Sequence, residues 1–473
     1  MMVLLIRPPD PLQKVGLLSH TKPMNLAYLA AYLRKSGFDA YIADYEIESF
    51  SHRALLTLIS EKKPAVIGVS CMTPTIKGGA MICGAVKAFD KNIVTVVGGP
   101  HANSLPEGTM EEFKEFDFLI YGEGEETLKE LCVRFRDGVK KYDIPGVVFR
   151  DGDCIVKNGP RELISDLDSI PFPARDLIKY DIQKGHSTRG VSNKILSAEV
   201  FTSRGCPFGC AFCAIRTTFG NSVRFRDPSF VEEEIRQIIR DCRVNHIIIA
   251  DDTFTLDKAR ALRICDILGR SGIKSWSCDT RVNSVSKELL LAMKQSGCQK
   301  VAYGVESGSP RILDLINKKI TLERVSEAVH WSKEAGIKDI EGNFIIGSDP
   351  SETMADINLT ARVITSLPWT FVSVSIIVPY PGTPVYEKMK AQDLIEKDID
   401  WDDFVMFGKR PRWRTENFSA AELISIQKRL TRAFYLDPGY ILGRLMEIRS
   451  WGDCAYWFSA GWTYLKWYFW GRL

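Results

Sequence analysis

Strand-like and helix-like segments alternate in two separate series along this 473-residue chain, and this alternation constrains the fold more than any other feature. The first series has apolar runs, separated by helical patterns, at residues 3–6, 39–44, 65–70, 93–99 and 117–122. Strict alternation of this kind predicts a parallel sheet with helices on both faces. We therefore expect an α/β fold that begins with a Rossmann-like doubly wound domain over residues 1–150. Ligands on such sheets bind at the carboxyl ends of the strands.

The second series begins after a break. Residues 151–195 are rich in Pro, Asp and Gly and are predicted to form a linker. Six further strand candidates follow, in the segments AEVFTS, HIIIADD, SWSCDT, KVAYGVES, DIEGNFIIG and FVSVSIIVPYP. Six strands with helices between them predict a partial (β/α)6 barrel over residues 196–390. Residues 391–473 are expected to be a helical C-terminal region.

Composition and cysteine usage narrow the class of protein. The formal net charge of +3 gives no reason to expect a nucleic-acid partner. The N-terminal apolar run is too short for a signal peptide, and no run of apolar residues is long enough to span a membrane, so a reducing cytoplasm is expected. Nine scattered cysteines are predicted to be buried small hydrophobic residues, namely Cys71, Cys83, Cys132, Cys154, Cys242, Cys265, Cys278, Cys298 and Cys454.

The three remaining cysteines are clustered. Cys206, Cys210 and Cys213 lie in TSRGCPFGCAFCAI, directly after the first strand of the predicted barrel. The glycines and the proline allow this loop to wrap tightly, and three thiolates form a soft metal site suited to an iron–sulfur cluster or zinc. Structural zinc requires four ligands, and the histidine closest in sequence is His186. A four-iron cluster on three cysteines keeps one iron open for a substrate or cofactor.

The Cys-x3-Cys-x2-Cys spacing, with Phe212 before the last cysteine, resembles the radical S-adenosylmethionine superfamily. The segments IIIADDTFTLD, VAYGVESGS, FIIGSDPSET and VPYPGTPVYEKM follow in the order that this superfamily uses, so the resemblance covers residues 196–390. It implies a [4Fe–4S] cluster on Cys206, Cys210 and Cys213. The open iron is expected to chelate S-adenosylmethionine, which one electron cleaves to methionine and a 5′-deoxyadenosyl radical.

The resemblance also implies contacts to S-adenosylmethionine at the strand ends. It places Phe212 beside the adenine, and Glu306 as an acceptor for the ribose hydroxyls. The full set of expected contacts is Phe212, Asp251, Asp252, Arg281, Gly304 and Glu306. Either aspartate is a candidate acceptor for the methionyl ammonium, and Arg281 for holding the carboxylate. Two structural alternatives stay open, in which Asp252 caps the next helix and Arg281 forms a surface ion pair.

The first domain resembles the cobalamin-binding subclass of that superfamily, through RPPD, VSCMTPT, VVGGPHA and YGEGEETL at its strand ends. The resemblance implies cobalamin contacts from Ser70, Met72, Thr73, Gly98, Gly99, His101, Gly122, Glu123 and Gly124. Gly98 and Gly99 are expected to open a slot for the nucleotide tail, and the loop of residues 70–75 to face the lower side of cobalt. The chain lacks an Asp-x-His-x-x-Gly motif, so that lower side is left empty, hydrated or covered by a side chain.

The C-terminal end is unusually aromatic. Residues 451–473 contain ten aromatic residues, including five of the ten tryptophans. Trp and Tyr favour membrane–water interfaces, which predicts a peripheral membrane contact near a hydrophobic substrate. The alternative is a helix that packs its aromatic side chains onto the barrel or onto a second copy of the chain.

The two resemblances together imply a cobalamin-dependent radical methyltransferase. The expected substrate is a hydrophobic lipid, a tetrapyrrole-like ring or a natural product, methylated at an unactivated carbon. An external donor of the flavodoxin or ferredoxin type is expected to supply electrons, and no catalytic acid or base is expected. The alternatives are a cyclase of the anaerobic magnesium-protoporphyrin ester type, a barrel that works without cobalamin, a methylthiotransferase acting on RNA, and a non-catalytic cobalamin or redox sensor.

Overall fold

The structure is a computed structural model that describes residues 1–10, 22–178, 196–406, 410–446, 448, 451, 454, 457, 458, 461 and 462. Its first sheet has seven strands in the order β2-β1-β3-β4-β5-β6-β7. These are β1 Met2–Arg7, β2 Asp39–Asp44, β3 Val66–Ser70, β4 Val94–Gly98, β5 Phe118–Ile120, β6 Val147–Asp151 and β7 Cys154–Lys157. The first five strands are mutually parallel and match all five predicted strands.

Six helices surround this sheet: α1 Met24–Lys35, α2 His52–Lys62, α3 Ile76–Phe89, α4 Pro100–Ser104, α5 Pro106–Glu112 and α6 Gly124–Arg136. Separate apolar cores lie on the two faces of the sheet, one built around Leu5 and Leu26 and the other around Leu4 and Ile82. The doubly wound architecture is therefore confirmed. In the order 2-1-3-4-5 the strand order reverses between β1 and β3, and sheets of this class bind their ligands at the carboxyl ends of the strands beside that point.

The predicted linker contains structure that the sequence analysis missed. β6 and β7 form an antiparallel hairpin that extends the first sheet beyond residue 150, to Lys157. Asp151 pairs with Cys154, so Gly152 and Asp153 form the two-residue turn, and Gly152 supplies the positive φ of +61° at its first position, which such hairpin turns favour. Reading this Pro-, Asp- and Gly-rich segment as a linker was therefore wrong for its first residues. Residues 179–195 of the segment lie outside the described residues.

The second sheet has six parallel strands in the order β15-β14-β13-β12-β11-β8, which confirms the partial barrel. They are β8 Ser197–Val200, β11 His246–Ile249, β12 Ser275–Thr280, β13 Cys298–Glu306, β14 Asp339–Ile346 and β15 Phe371–Ile376. A short antiparallel pair, β9 Ser203–Arg204 and β10 Arg224–Phe225, flanks the cysteine loop. The helices are α7 Arg216–Phe219, α8 Pro228–Cys242, α9 Lys258–Arg270, α10 Lys287–Gln295, α11 Pro310–Leu315, α12 Leu322–Glu334 and α13 Met354–Ser366.

The chain continues in α14 Pro384–Ala391, α15 Ala420–Tyr435 and α16 Pro438–Met446. In the aromatic tail, Trp451 and Phe458 are 90% and 76% exposed, whereas Trp457 stacks on Phe371 of the barrel with ring centroids 5.8 Å apart. Residues 463–473 of the predicted tail lie outside the described residues. Among the helices that the structure describes, none combines the length and apolarity needed to cross a bilayer.

Candidate active site

The cysteine loop lies at the carboxyl end of β8, as predicted, and backbone contacts fix its shape. Gly205 has φ +91°, and a Cβ there would approach the Ser222 carbonyl to 2.1 Å, so the position requires glycine. The Ala211 amide donates to the Ile316 carbonyl at 2.9 Å, which ties the loop to the segment after α11. Burial raises the pKa of the Cys213 thiol to about 11, with smaller contributions from Cys210 and Cys206, so these three groups lie close enough to interact.

The donor set suits an iron–sulfur cluster. Across the described ranges, no three His, Cys, Asp or Glu side chains converge on one ion position. A four-iron cluster does not need such convergence, because each thiolate binds a different iron. Three thiols on one tightly held loop fit this geometry.

Arg281 lies against the loop. Its guanidinium stacks on Phe208 at 3.8 Å from the ring centroid and donates to Cys210 Sγ at 3.5 Å and to the Lys318 carbonyl. The residue is 5% exposed, so the surface ion pair considered as an alternative is wrong. The cation is placed to stabilise a thiolate at Cys210.

Glu306 closes the carboxyl end of β13 in a strained conformation. Its φ is +72°, which a residue with a side chain adopts only when its surroundings enforce it. Its carboxylate accepts from Lys318 Nζ at 2.7 Å, and both side chains are buried. A Cβ at Gly304 would lie 2.5 Å from Glu306 Oε1 and 2.8 Å from Lys318 Nζ, so this ion pair requires glycine there. The Lys318 ammonium also lies 5.9 Å from the centroid of the Phe212 ring.

The two aspartates after β11 differ. Asp251 is buried and accepts from the Thr202 and Ser203 amides at 2.6 and 3.1 Å, so it holds the end of β8. Asp252 is exposed and accepts from the Gly205 amide at 3.2 Å. Partial desolvation by the surrounding protein, followed by the charge of Asp251, raises the pKa of Asp252 to about 6. Asp257 caps α9, so the alternative that Asp252 is the cap is wrong.

In the first domain, the loops after β3 and β4 meet around Gly99. Its φ is +97°, and a Cβ would lie 2.8 Å from both Cys71 N and Cys71 O. Ser70 accepts from Asn25 Nδ2 at 2.7 Å, while Met72 is 45% exposed at the tip of the loop after β3. Only a glycine therefore permits the close approach of these two loops, and it leaves Met72 accessible beside them.

His101 is enclosed by a residue from the far end of the chain. The ring is 1% exposed, contacts Thr73 Oγ1 through Nδ1 at 3.4 Å, and packs edge-on against Trp401 at 4.9 Å. Trp401 Nε1 is held by the Glu112 carboxylate at 2.8 Å. Burial lowers the pKa of His101 to about 4. The sequence analysis did not foresee Trp401, because only the folded chain brings residues 101 and 401 together.

The loop after β5 also makes contacts that the sequence did not predict. Glu123 is buried and pairs with Arg204 at 2.8 Å and Arg224 at 2.7 Å, while Glu125 pairs with Arg204 at 2.6 Å. Gly122, with φ +84°, donates its amide to Asn103 Oδ1. Glu123 therefore links the first domain to the barrel, and a contact between its carboxylate and cobalamin stays a prediction that this pairing does not support.

The described structure brings the two domains together at the cysteine loop. Asn103 Nδ2 of α4 donates to Thr218 Oγ1 of α7 at 2.6 Å. At Gly382, which follows β15, a Cβ would meet Thr217 Cγ2 at 3.0 Å and Ser104 Cα at 3.5 Å. The ligand-binding edge of the first sheet thus faces the loop that carries the three cysteines.

Comparison with known families agrees with this arrangement. The model of the radical SAM superfamily matches residues 200–364, and the model of the B12 binding domain matches residues 15–132. The two matches fall on the two sheets described above. The cofactors are therefore a [4Fe–4S] cluster, S-adenosylmethionine and cobalamin.

Relatives extend the similarity over nearly the whole chain. An uncharacterised methyltransferase of Pyrococcus horikoshii is 31% identical over 449 residues, covering 94% of this chain and 95% of that protein. The anaerobic magnesium-protoporphyrin IX monomethyl ester cyclase of Cereibacter sphaeroides is 28% identical, covering 78% of this chain and 60% of that protein.

Solved structures show the same fold at lower identity. The radical S-adenosylmethionine methyltransferase TsrM from Kitasatospora setae, with cobalamin and a [4Fe–4S] cluster bound, has a TM-score of 0.71 at 18% identity, covering 93% of this chain and 89% of that one. OxsB, a cobalamin-dependent S-adenosylmethionine radical enzyme, has a TM-score of 0.75 at 18% identity, covering 98% and 71%. With its two matched domains in one compact arrangement, this chain belongs to the cobalamin-dependent radical S-adenosylmethionine enzymes.

Proposed function

We propose that this enzyme transfers a methyl group to an unactivated carbon of a small molecule held inside the barrel. The observation that carries the proposal is the direct contact between the two ligand-binding edges, made by Asn103 and Thr218. When bound, the cluster and S-adenosylmethionine supply hydrogen abstraction, and cobalamin supplies the methyl group. A substrate between the two edges is within reach of both.

We assign the cluster to Cys206, Cys210 and Cys213, and the ribose to Glu306 beside Gly304. We assign the adenine to Phe212, whose ring lies 5.9 Å from the Lys318 ammonium that pairs with Glu306. For the methionyl ammonium we favour Asp252, because the carboxylate of Asp251 is already engaged by backbone amides.

The structure modifies the role proposed for Arg281. Its donors face Cys210, the Lys318 carbonyl and Asn283, so we infer that it orients the cysteine loop. Lys318 is the cation nearest Glu306 and becomes our candidate for the methionyl carboxylate. The sequence analysis missed Lys318, because nothing in the local pattern shows that it folds back over Gly304.

For cobalamin, we assign the nucleotide slot to Gly98 and Gly99, and the lower face of cobalt to the loop from Ser70 to Thr73, with the exposed Met72 nearest the corrin. His101 is an unsuitable axial ligand because Trp401 encloses its ring. The remaining predicted contacts, Gly122 and Gly124, stay proposals for the rim of this site.

Methyl transfer is favoured over cyclisation by the names of the relatives. The relative that matches along 95% of its length is named a methyltransferase, and the hopanoid C-3 methylase of Methylococcus capsulatus is 26% identical over 79% of this chain and 70% of that protein. A substrate with an apolar body, such as a lipid, a tetrapyrrole-like ring or a natural product, fits the exposed Trp451 and Phe458, which we propose to contact a membrane surface.

We further propose an electron donor of the flavodoxin or ferredoxin type and a reducing, cytoplasmic setting. In the described structure none of the twelve cysteines forms a disulfide bond, which is compatible with such a setting. Six of the nine scattered cysteines are buried, as predicted, whereas Cys242 is half-buried and Cys154 and Cys454 are exposed, so the prediction was wrong for those three.

The test is anaerobic reconstitution of the full chain with iron, sulfide and cobalamin, followed by reduction in the presence of S-adenosylmethionine and a cell extract. Methyl transfer predicts release of both 5′-deoxyadenosine and S-adenosylhomocysteine, and a product that carries the deuterium of a labelled methyl group. Cys213→Ala should abolish all three signals, while Cys154→Ala, an exposed cysteine far from the loop, should leave them unchanged. Deoxyadenosine without S-adenosylhomocysteine would point to the cyclase alternative. The absence of both products would refute the proposal.

A further inference from the structure

The inner face of the barrel sheet is polar, whereas the outer face is apolar. On β12, Trp276 belongs to the core beneath the helices. Because successive side chains alternate between the faces of a strand, Ser277 and Asp279 lie on the inner face. The same alternation places Lys300 of β13 and Glu341 of β14 on that face, because their neighbours along each strand belong to the helix-covered core. A hydrocarbon-only substrate would leave these charged groups buried against apolar atoms, which is costly.

The register of the sheet brings two carboxylates into one row. Asp279 pairs with Ala302, and Ala302 pairs with Glu341 on its other side. Ala302, which lies between the two acids in this row, carries only a methyl group. Glu341 is neutralised by Lys300, which reaches it from the row below with Nζ 2.6 Å from Oε2.

Asp279, unlike Glu341, has no basic side chain paired with it in the described structure. In the described part of the chain its carboxylate has no hydrogen-bond or ion-pair partner, and its side chain is exposed. Neighbouring protein atoms nevertheless limit its hydration and raise its pKa, with Lys300 opposing this effect and Glu341 adding to it. By contrast, Glu199 on the same face pairs with Lys22 at 3.3 Å. An exposed and unpaired carboxylate is available to accept from a group that brings its own hydrogens.

The position of Asp279 suits a substrate contact. Arg281, which touches Cys210 Sγ, is two residues further along the strand, or about 7 Å at the rise of a β-strand. Asp279 therefore lies one layer below the cofactor-binding end of the barrel. In the same row Glu341 pairs with Phe371, whose ring stacks on Trp457. This row thus offers a carboxylate at one side and an aromatic wall at the other.

We infer that the barrel binds an amphiphilic substrate by a hydrogen-bond-donating group, with a protonated amine preferred over a hydroxyl, at Asp279. The apolar part of that substrate lies against Phe371 and Trp457. The inference rests on the proposed function for the statement that the bound molecule is the one methylated. It names the chemical class of the substrate, which the family match leaves open.

The test measures binding and does not depend on turnover. The probes are 4-phenylbutylammonium and its uncharged analogue 4-phenylbutyl methyl ether, titrated against the reconstituted full-length protein and followed by saturation-transfer NMR. We expect the ammonium to bind at least about tenfold more tightly than the ether, and Asp279→Asn to remove that difference. Asp266→Asn, a matched change at a helix position whose side chain is 73% exposed, should preserve it. Iron content and circular dichroism establish that each variant is folded.

Equal binding of the two probes to the wild-type protein, or an ammonium preference that survives in Asp279→Asn, would overturn the inference. Phe371→Leu should weaken both probes by a similar factor, since it removes the aromatic wall and leaves the charge. Release of 5′-deoxyadenosine and S-adenosylhomocysteine is measured in parallel. An Asp279-dependent ammonium preference without these products would refute the proposed function alone, and the products without the preference would refute the substrate class alone.

Discussion

Substitution of Glu123 by glutamine should weaken the ion pairs that hold the first domain against the barrel. The carboxylate is 4% exposed and holds Arg204 at 2.8 Å and Arg224 at 2.7 Å, while it also accepts from the Ile164 amide at 2.8 Å. Burial alone would raise the pKa of Glu123, but the two guanidinium groups outweigh it and hold that pKa below its usual value. Glutamine keeps the shape and the backbone hydrogen bond but removes the charge.

We expect a large decrease in the free energy of unfolding because both arginine side chains are largely buried. Removing one partner of a buried ion pair costs about 3–5 kcal/mol, since it leaves an uncompensated charge. Arg204 keeps Glu125, and Arg224 keeps the Ile164 carbonyl, so we expect the lower end of this range, about 3 kcal/mol. Because the pKa of Glu123 is depressed in the folded state, its contribution is fully present above the unfolded pKa near 4.5 and is lost as the pH falls through the folded value.

The assay is urea denaturation of the full chain, followed by tryptophan fluorescence at several pH values. Glu107→Gln is the matched control, because Glu107 pairs with Lys157 at 2.8 Å with side chains that are 56% and 35% exposed. An exposed pair contributes about 1 kcal/mol or less. The stabilising role assigned to the ion pairs of Glu123 would be wrong in either of two cases. In the first, Glu123→Gln lowers the free energy of unfolding by no more than this control does. In the second, the variant loses as much stability below pH 4.5 as the wild-type protein.

Three further predictions use other parts of the site. Gly99→Ala should abolish the corrin absorption of the reconstituted protein while its iron content is kept, since a Cβ would lie 2.8 Å from Cys71 backbone atoms; Gly108→Ala, where a Cβ meets open space, should have no effect. Glu306→Gln should lower the rate of deoxyadenosine release by about 10–100-fold with full iron content, because it breaks the pair with Lys318; an unchanged rate would exclude a role in S-adenosylmethionine binding. Since burial lowers the pKa of His101 to about 4, wild-type stability should fall by about 1.4 kcal/mol per pH unit for this group as the pH drops from 6.5 to 4. His101→Gln should flatten that part of the stability–pH curve, and an unchanged slope would contradict burial of a neutral ring.

Local sequence patterns predicted those elements whose formation depends on residues that are neighbours in the sequence. The alternation of apolar runs predicted the parallel strands of both sheets, and the position of the cysteines directly after a predicted strand indicated a loop at the end of β8. The hairpin β6–β7 was missed because a stretch rich in turn residues has the same composition whether it joins domains or turns a hairpin.

Contacts between distant residues could not be predicted in this way. Glu123 reads as a helix-start acid near a ligand, and only the folded chain shows it paired with Arg204 and Arg224. Likewise Lys318 reaches Glu306 by crossing Gly304, and Trp401 reaches His101 from 300 positions away. These are tertiary contacts, and nothing in the local sequence at either partner encodes the other.

The same long-range contacts explain why the two domains act as one enzyme. Arg204 immediately precedes the cysteine loop, and Thr218 follows it in α7. Glu123 holds the first and Asn103 holds the second, so the first domain grips the loop on both sides. Under the proposed function, these contacts, together with the pairs that Glu123 and Glu125 make with Arg224 and Arg204, help to set the distance between the cobalamin on one sheet and the cluster on the other. If the proposed methyl transfer is correct, weakening either contact should uncouple deoxyadenosine release from methyl transfer before it abolishes either reaction, because each half of the site keeps its own ligands.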